Sequence, residues 1–341
     1  MSCIVRNRPG MLHYGASHYH SDEMNTPDYC ASQIVRDCTR SGISVEEFAQ
    51  SKIILSFLDE GFDPDGIEPL TRMLSQSHPG RFMVLFNAHV NADQLPYPAH
   101  CCTTWLINRS EYKLDQLDYN FDLALDRKFL CLLRRPTLNR AYLARFFLDH
   151  IGLHTVRMSF GSGQPCGDQY RDIVGVDLPL LVDGVLTDRV QEFDISNTQF
   201  HSCLFNIAAE TSSQTEYCGN TSQWRSVFLT EKTWKAIMQR QILIWYGVPG
   251  LVEHVRSLGF DTFDDILDHQ YDTILDEAQR HQSVFDQISQ LNDRYSLADC
   301  QTLRQQLRPR LEANFKKLLE YLRTNRRQVF NAILEFDSYS T

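Results

Sequence analysis

The chain has no apolar run approaching the roughly 18 residues of a transmembrane helix, so nothing in it reads as a membrane span. Its first ten residues carry Arg6 and Arg8 with no apolar region behind them, and so give no sign of a secretory signal. Ten cysteines contain no CxxC pair, although Cys101 and Cys102 are adjacent. In a long chain without a secretory signal, such cysteines read as reduced thiols in a cytoplasm, not as a disulfide framework. There is no internal repeat and no low-complexity tract, which excludes repeat architectures. A surplus of positive charge is missing too. Lys and Arg total 33 against 43 Asp and Glu, a net charge of −10. That argues against a generally basic nucleic-acid or membrane-surface binder, while leaving room for a local basic groove.

What is present is ordinary for a core-forming protein: 43% hydrophobic and 22% charged residues. A length of 341 residues, at roughly 100–200 residues per domain, predicts two domains. The first 50 residues are polar and give no clear pattern. From residue 52 the pattern sharpens. Lys52–Leu58 and Arg81–Asn87 read as buried strands on either side of an acidic loop, Asp59–Gly66, and a helix over Glu68–Gln76. Thr103–Asn108 is a further candidate strand. A polar stretch at Asp115–Asp126 marks a domain boundary. Beyond it a second series begins: a strand at Lys128–Leu133, a helix at Asn139–His150, a strand at Thr155–Phe160 and a loop-rich region to Leu186. It continues with strands at Ser202–Ala208 and Ile242–Tyr246 and helices at 231–240 and 251–258. From about Asp272 the chain reads as largely helical. The expected organisation is α/β, with domains at 1–126 and 127–300 and a helical tail at 301–341 packing across both.

Thr230-Glu231-Lys232-Thr233-Trp234-Lys235 carries the clearest chemistry. Thr230 suits an N-cap, and the first turn of a helix offers free N–H groups and a partial positive charge, which suit a diphosphate. Lys232 and Lys235, three apart, reach the same turn, and Glu231 can accept hydrogen bonds from ribose hydroxyls. The same residues also fit a capped amphipathic helix with solvated charges. Glu210 closes a strand, at the end where parallel sheets place their ligands. It reads either as a residue beside a bound nucleotide or as a helix-capping carboxylate.

FLTEKTWKAI, ILIWYGVPG and the following LVEHVRSLGFDTFDDILDHQYD resemble a group of phage and bacterial glycosyltransferases. They are also distantly similar to the TEK segment of the α1,3-fucosyltransferases, which are GT-B enzymes with two Rossmann-like domains facing each other across a cleft. FNIAAET (205–211) and KFLCLLRRPTLNRAYLARFFLDHIGL (128–153) resemble segments of the same group, in the same order, so the likeness covers about half the chain. It implies a GT-B-like fold and transfer of a sugar from a nucleotide-sugar donor to an acceptor hydroxyl, inverting by analogy and without a metal cofactor. It puts Glu231 at the donor ribose and Lys232 at its phosphates, with Arg135 and Arg140 at the same anion. Asn139 stands where the group usually has His, so a hydrogen bond to phosphate survives there but a titrating role does not. The implied acceptor is a glycan or, for a phage-type enzyme, a modified DNA base. A catalytically inactive nucleotide-sugar-binding scaffold is the rival from another class. The expected setting is cytoplasmic, including the cytoplasm of a phage-infected host.

In a two-domain transferase the acceptor side falls to the N-terminal domain, and a carboxylate must take the acceptor proton. Glu60 and Asp59, at the end of the Lys52–Leu58 strand, are the candidates; a solvated acidic loop is the alternative. Asp63-Pro64-Asp65 has the DxD pattern of metal-dependent transferases, but Gly61, Pro64 and Gly66 account for it as a turn. His18 and His20, near His13 and Asp22, read as exposed polar residues and not as metal ligands. Ser159 and Ser162 lack the setting of a nucleophile elbow. Residues 304–327 hold eight Lys or Arg and two Glu. They read as a helix face in water, or as a contact for an anionic acceptor.

Overall fold

A computed structural model describes residues 3–8, 11–15, 27–57, 68–86, 98–101, 119–133, 136–161, 168–181, 200–210, 227 and 229–338. The chain forms two compact units, one from residues 1–110, 216–228 and 321–341, the other from 111–215 and 229–320. Each contains a five-stranded sheet with four parallel strands and one antiparallel edge strand. The protein is therefore α/β.

In the first unit the strands are β1 (Cys3–Arg8), β2 (Met11–Gly15), β3 (Lys52–Phe57), β4 (Phe82–Phe86) and β5 (Ala99–Cys101). They lie side by side in chain order, β1 antiparallel to β2 and the rest parallel. Helices at Pro27–Ser41 and Val45–Gln50 separate β2 from β3, and the Glu68–Ser77 helix separates β3 from β4. Alternation of side chains splits each strand between two faces. Met11, Ile54, Met83 and Leu85 pack with Val329, Ala332 and Phe336 of the C-terminal helix, Leu297–Ser338. Ile53, Leu55 and Val84, between them in the strands, are equally buried. Burial on both faces explains why these strands read as continuous apolar runs. Lys52 Nζ donates to the carbonyls of Phe336 (3.1 Å) and Asp337 (2.7 Å), placing a cation where the helix leaves carbonyls unpaired.

The second unit holds β6 (Phe129–Leu133), β7 (Val156–Phe160), β8 (Leu180–Leu181), β9 (Phe205–Ala209) and β10 (Ile242–Tyr246), in the order β10-β9-β6-β7-β8 with β8 antiparallel. Every residue of β9 and β10 is buried. The helix after β6 runs Leu138–Phe146 and continues as a π-helical turn through Ile151. Further helices span Asp168–Val174, Glu231–Met238, Leu251–Ser257 and Glu277–Arg294.

Several details differ from the sequence reading. The polar N-terminal segment contains two strands and two helices. The stretch read as a loop beyond Phe160 contains the Asp168–Val174 helix. The basic C-terminal segment is not uniformly a solvated face: Arg304 is fully buried and donates to the carbonyls of His201 (2.7 Å), Phe121 (2.8 Å) and Leu123. The C-terminal helix is divided, residues 297–320 belonging to the second unit and 321–338 to the first. Among the described residues, Cys38, Cys131, Cys203 and Cys300 are buried free thiols, and burial pushes each thiol pKa up. No described helix is long and apolar enough to cross a membrane. Thr103–Asn108, His18, His20, Asp22 and Ser162 lie outside the described residues.

Candidate functional site

The second sheet starts in its middle. β6 comes first in the chain, β7 and β8 extend to one side, and β9 and β10 to the other. The direction of winding reverses between β6 and β9. In open parallel sheets, the crevice outside the strand carboxyl ends at such a reversal is where ligands bind. Here β6 and β9 pair only at Phe129–Phe205 and Leu130–Asn206. Each strand then continues past its last paired residue, to Leu133 and Ala209.

Arg140 joins the two sides of this gap. It sits in the first turn of the Leu138–Phe146 helix, whose N-cap is Thr137, and it is only 1% exposed. Its guanidinium donates to the Ala209 carbonyl at 2.7 Å. The helix that follows β6 is thus tied to the end of β9. Burial makes Arg140 a support for the crevice, while a direct anion contact needs a more open side chain.

Glu210, the residue after β9, is 4% exposed. Its carboxylate accepts from the Thr230 N–H (3.2 Å), the Thr230 hydroxyl (2.5 Å) and the Thr233 hydroxyl (3.2 Å). The Thr233 hydroxyl also accepts from Trp245 Nε1 at 3.0 Å, which extends the network to β10. Thr230 is the N-cap of the Glu231–Met238 helix, its hydroxyl accepting from the Lys232 N–H at 3.3 Å. Lys232 Nζ lies 3.2 Å from the same hydroxyl and 4.0 Å from Glu210, with its side chain 20% exposed. Thr230, Lys232 and Glu210 therefore meet at one helix start beside the strand ends, with Glu210 in the capping role. Glu231 begins the helix. Lys235 is partly buried one turn on.

Asn139 is held through its main chain: its carbonyl accepts from the Tyr246 hydroxyl at 3.1 Å, at the end of β10. Burial pushes the Tyr246 hydroxyl pKa up, so it remains a donor at neutral pH. A third helix start at this edge, Leu251, is already filled. The Asp272 carboxylate accepts the N–H groups of Val252 and Glu253, both at 3.0 Å. Burial raises the Asp272 pKa, against the pull of those hydrogen bonds.

Arg134 and Arg135, directly after β6, lie outside the described residues, as do Asp59, Glu60, Asp63 and Asp65. Among the described residues no group of three His, Cys, Asp or Glu is arranged to hold a metal. Sequence reasoning passed over Thr233, Trp245 and Tyr246. The Thr-x-x-Thr spacing of 230 and 233, which resembles a capping box, was the available signal for Thr233.

No family model, curated protein or solved structure matches the chain.

Proposed function

We propose that the protein is a glycosyltransferase of the two-domain GT-B kind, with two Rossmann-like domains. Its second unit binds a nucleotide-sugar at the gap between β6 and β9. The observation that carries this reading is the Thr230-capped helix start with Lys232 at its opening, beside the carboxyl ends of a parallel sheet. Lys232 and Arg135 take the diphosphate and Glu231 the ribose, with Lys235 and Asn139 at the margins. Glu210, Thr230 and Arg140 hold these groups in place. A departing diphosphate needs positive charge where its negative charge develops, and lysine, arginine and helix N–H groups supply it without a metal.

The step balances simply. The acceptor hydroxyl gives its proton to a carboxylate, its oxygen bonds to the sugar carbon, and the sugar–phosphate bond breaks to release the nucleoside diphosphate. Glu60 or Asp59 is the base on this reading.

A thermal-shift panel tests the donor site. A nucleoside diphosphate such as UDP or GDP at a hundredfold excess over Kd should stabilise the protein by about 2.7 kcal/mol, and the monophosphate by less. If no nucleotide at millimolar concentration moves the melting temperature, the reading fails.

A further inference from the structure

A groove of about 840 Å³ separates the Leu138–Ile151 helical segment from the Glu277–Arg294 helix. That is large enough for a small molecule. Its wall is aromatic. Phe146 and Phe285 stack at 4.4 Å with planes 6° apart, and Tyr142 stands 48% exposed at the rim. The π-helical turn at Phe147–Ile151 ends the helix beside this wall. The charge of the lining is one-sided. Asp149, Asp276, Glu277 and Asp286 line it with a single guanidinium, Arg145, which pairs with Asp149 at 2.5 Å.

His281 lines the same groove. It is 8% exposed, and its Nε2 makes no hydrogen bond, lying 3.8 Å from Glu277. The ring stacks on Tyr246 at 4.4 Å. Burial holds its pKa down to about 4, so at neutral pH it adds no positive charge to the groove. The four carboxylates against one arginine disfavour an anion such as a phosphate.

We propose that this groove binds a small organic cation, an amine or guanidine on an aliphatic body. The ammonium or guanidinium meets Glu277 and Asp286, and the aliphatic part lies on Tyr142 and Phe146. The carboxylates attract the cation, and the aromatic side chains cover its apolar body. The groove borders the proposed nucleotide site at Asn139, but its carboxylates and aromatic wall take no part in that reading.

Calorimetric titration of the full chain with spermidine and agmatine tests it, with maltose and inorganic pyrophosphate as neutral and anionic controls. The expected result is amine binding that weakens as salt rises, with any pyrophosphate binding, at the proposed diphosphate site, unchanged by the groove variants. Glu277→Gln and Asp286→Asn should each weaken it roughly twofold to fivefold. Tyr142→Ala, at an exposed position, should weaken it without changing the melting temperature. Absence of amine binding overturns the proposal. So does binding of maltose or pyrophosphate in this groove, or amine binding unaffected by all three variants.

Discussion

Removing the Glu210 carboxylate separates a structural role from a ligand-binding one. Glu210 is 4% exposed and, among the described residues, accepts hydrogen bonds from Thr230 twice and from Thr233. In Glu210→Ala the Thr230 N–H, at a residue 2% exposed, loses its acceptor, and the Thr233 hydroxyl, at a residue with no exposure, loses one of its two partners. A buried donor left unmet costs about 1–3 kcal/mol, and loosening an N-cap costs about 0.5–2 kcal/mol. Release of a buried charge offsets part of this. The net expectation is a loss of about 2–4 kcal/mol. For a unit of this size that lowers the melting temperature by roughly 4–16 °C, at about 2–4 °C per kcal/mol. Glu210→Gln keeps an acceptor oxygen and should lose about half as much. Melting curves followed by tryptophan fluorescence suit the measurement, since Trp245 donates into the same network. If Glu210→Ala melts within a degree of the parent, the network does not hold the helix start and the capping argument is wrong. If Glu210→Gln melts normally but no longer binds a nucleotide, Glu210 touches the ligand itself.

Three further outcomes are expected. Burial lowers the pKa of His254 and of His281 to about 4, while the unfolded chain titrates near 6.5. The unfolded state therefore binds more protons between those values. The contribution, at most about 3 kcal/mol per histidine, is fully present above about pH 6.5 and is lost as pH falls toward 4. His254→Leu and His281→Phe should each flatten the decline in melting temperature over that window; an unchanged slope in both refutes the assignment. Arg304→Met leaves the carbonyls of His201 and Leu123 without their donor and that of Phe121 with Gln305 alone. It should cost roughly 3–5 kcal/mol in urea unfolding, and a loss under about 1 kcal/mol would mean that water replaces the guanidinium. Glu60→Gln or Asp59→Asn should reduce turnover by roughly 10²–10⁴ with donor binding nearly unchanged. If both retain normal rates, the base lies elsewhere.

What could be read in advance follows from burial. β9 and β10 are covered on both faces, so FNIAA and ILIWY appear as plain apolar runs and were located to within a few residues. β1 is an edge strand with the sequence CIVRNR, and half of it carries no apolar pattern. The Pro27–Ser41 helix turns Gln33 and Asp37 inward with Ile34 and Cys38. The Tyr14 hydroxyl donates to Asp37 at 2.9 Å and makes that burial tolerable. An inner face half made of polar residues lowers the overall apolar content of the segment, so the helix reads as polar although its apolar side chains share one face. The burial of Arg140, Arg280 and Arg304 was hidden for a related reason. Each is 0–1% exposed and donates to main-chain carbonyls. Composition counts such residues as surface charge, because their partners are fixed by the tertiary fold alone.

The helix starts at the edge of the second sheet differ in what they can still accept. At Leu251 the Asp272 carboxylate already takes two N–H groups, so a further anion there would face a like charge. At Leu138 and Glu231 the caps are threonine hydroxyls, which satisfy N–H groups without cancelling the positive end of the helix. Glu210 complicates the second of these, since its carboxylate stands 4.0 Å from Lys232 Nζ. The two side-chain charges largely offset each other, and the lysine is steadied without being neutralised by direct contact. A diphosphate at this point carries more negative charge than one lysine and a helix end can balance. The sequence places Arg134 and Arg135 immediately after β6, the strand on the other side of the gap. Under the proposed function, the arginines after β6 and the lysine after β9 act as one cation cluster. Arg140, by tying the β6 helix to Ala209, fixes the distance between its halves.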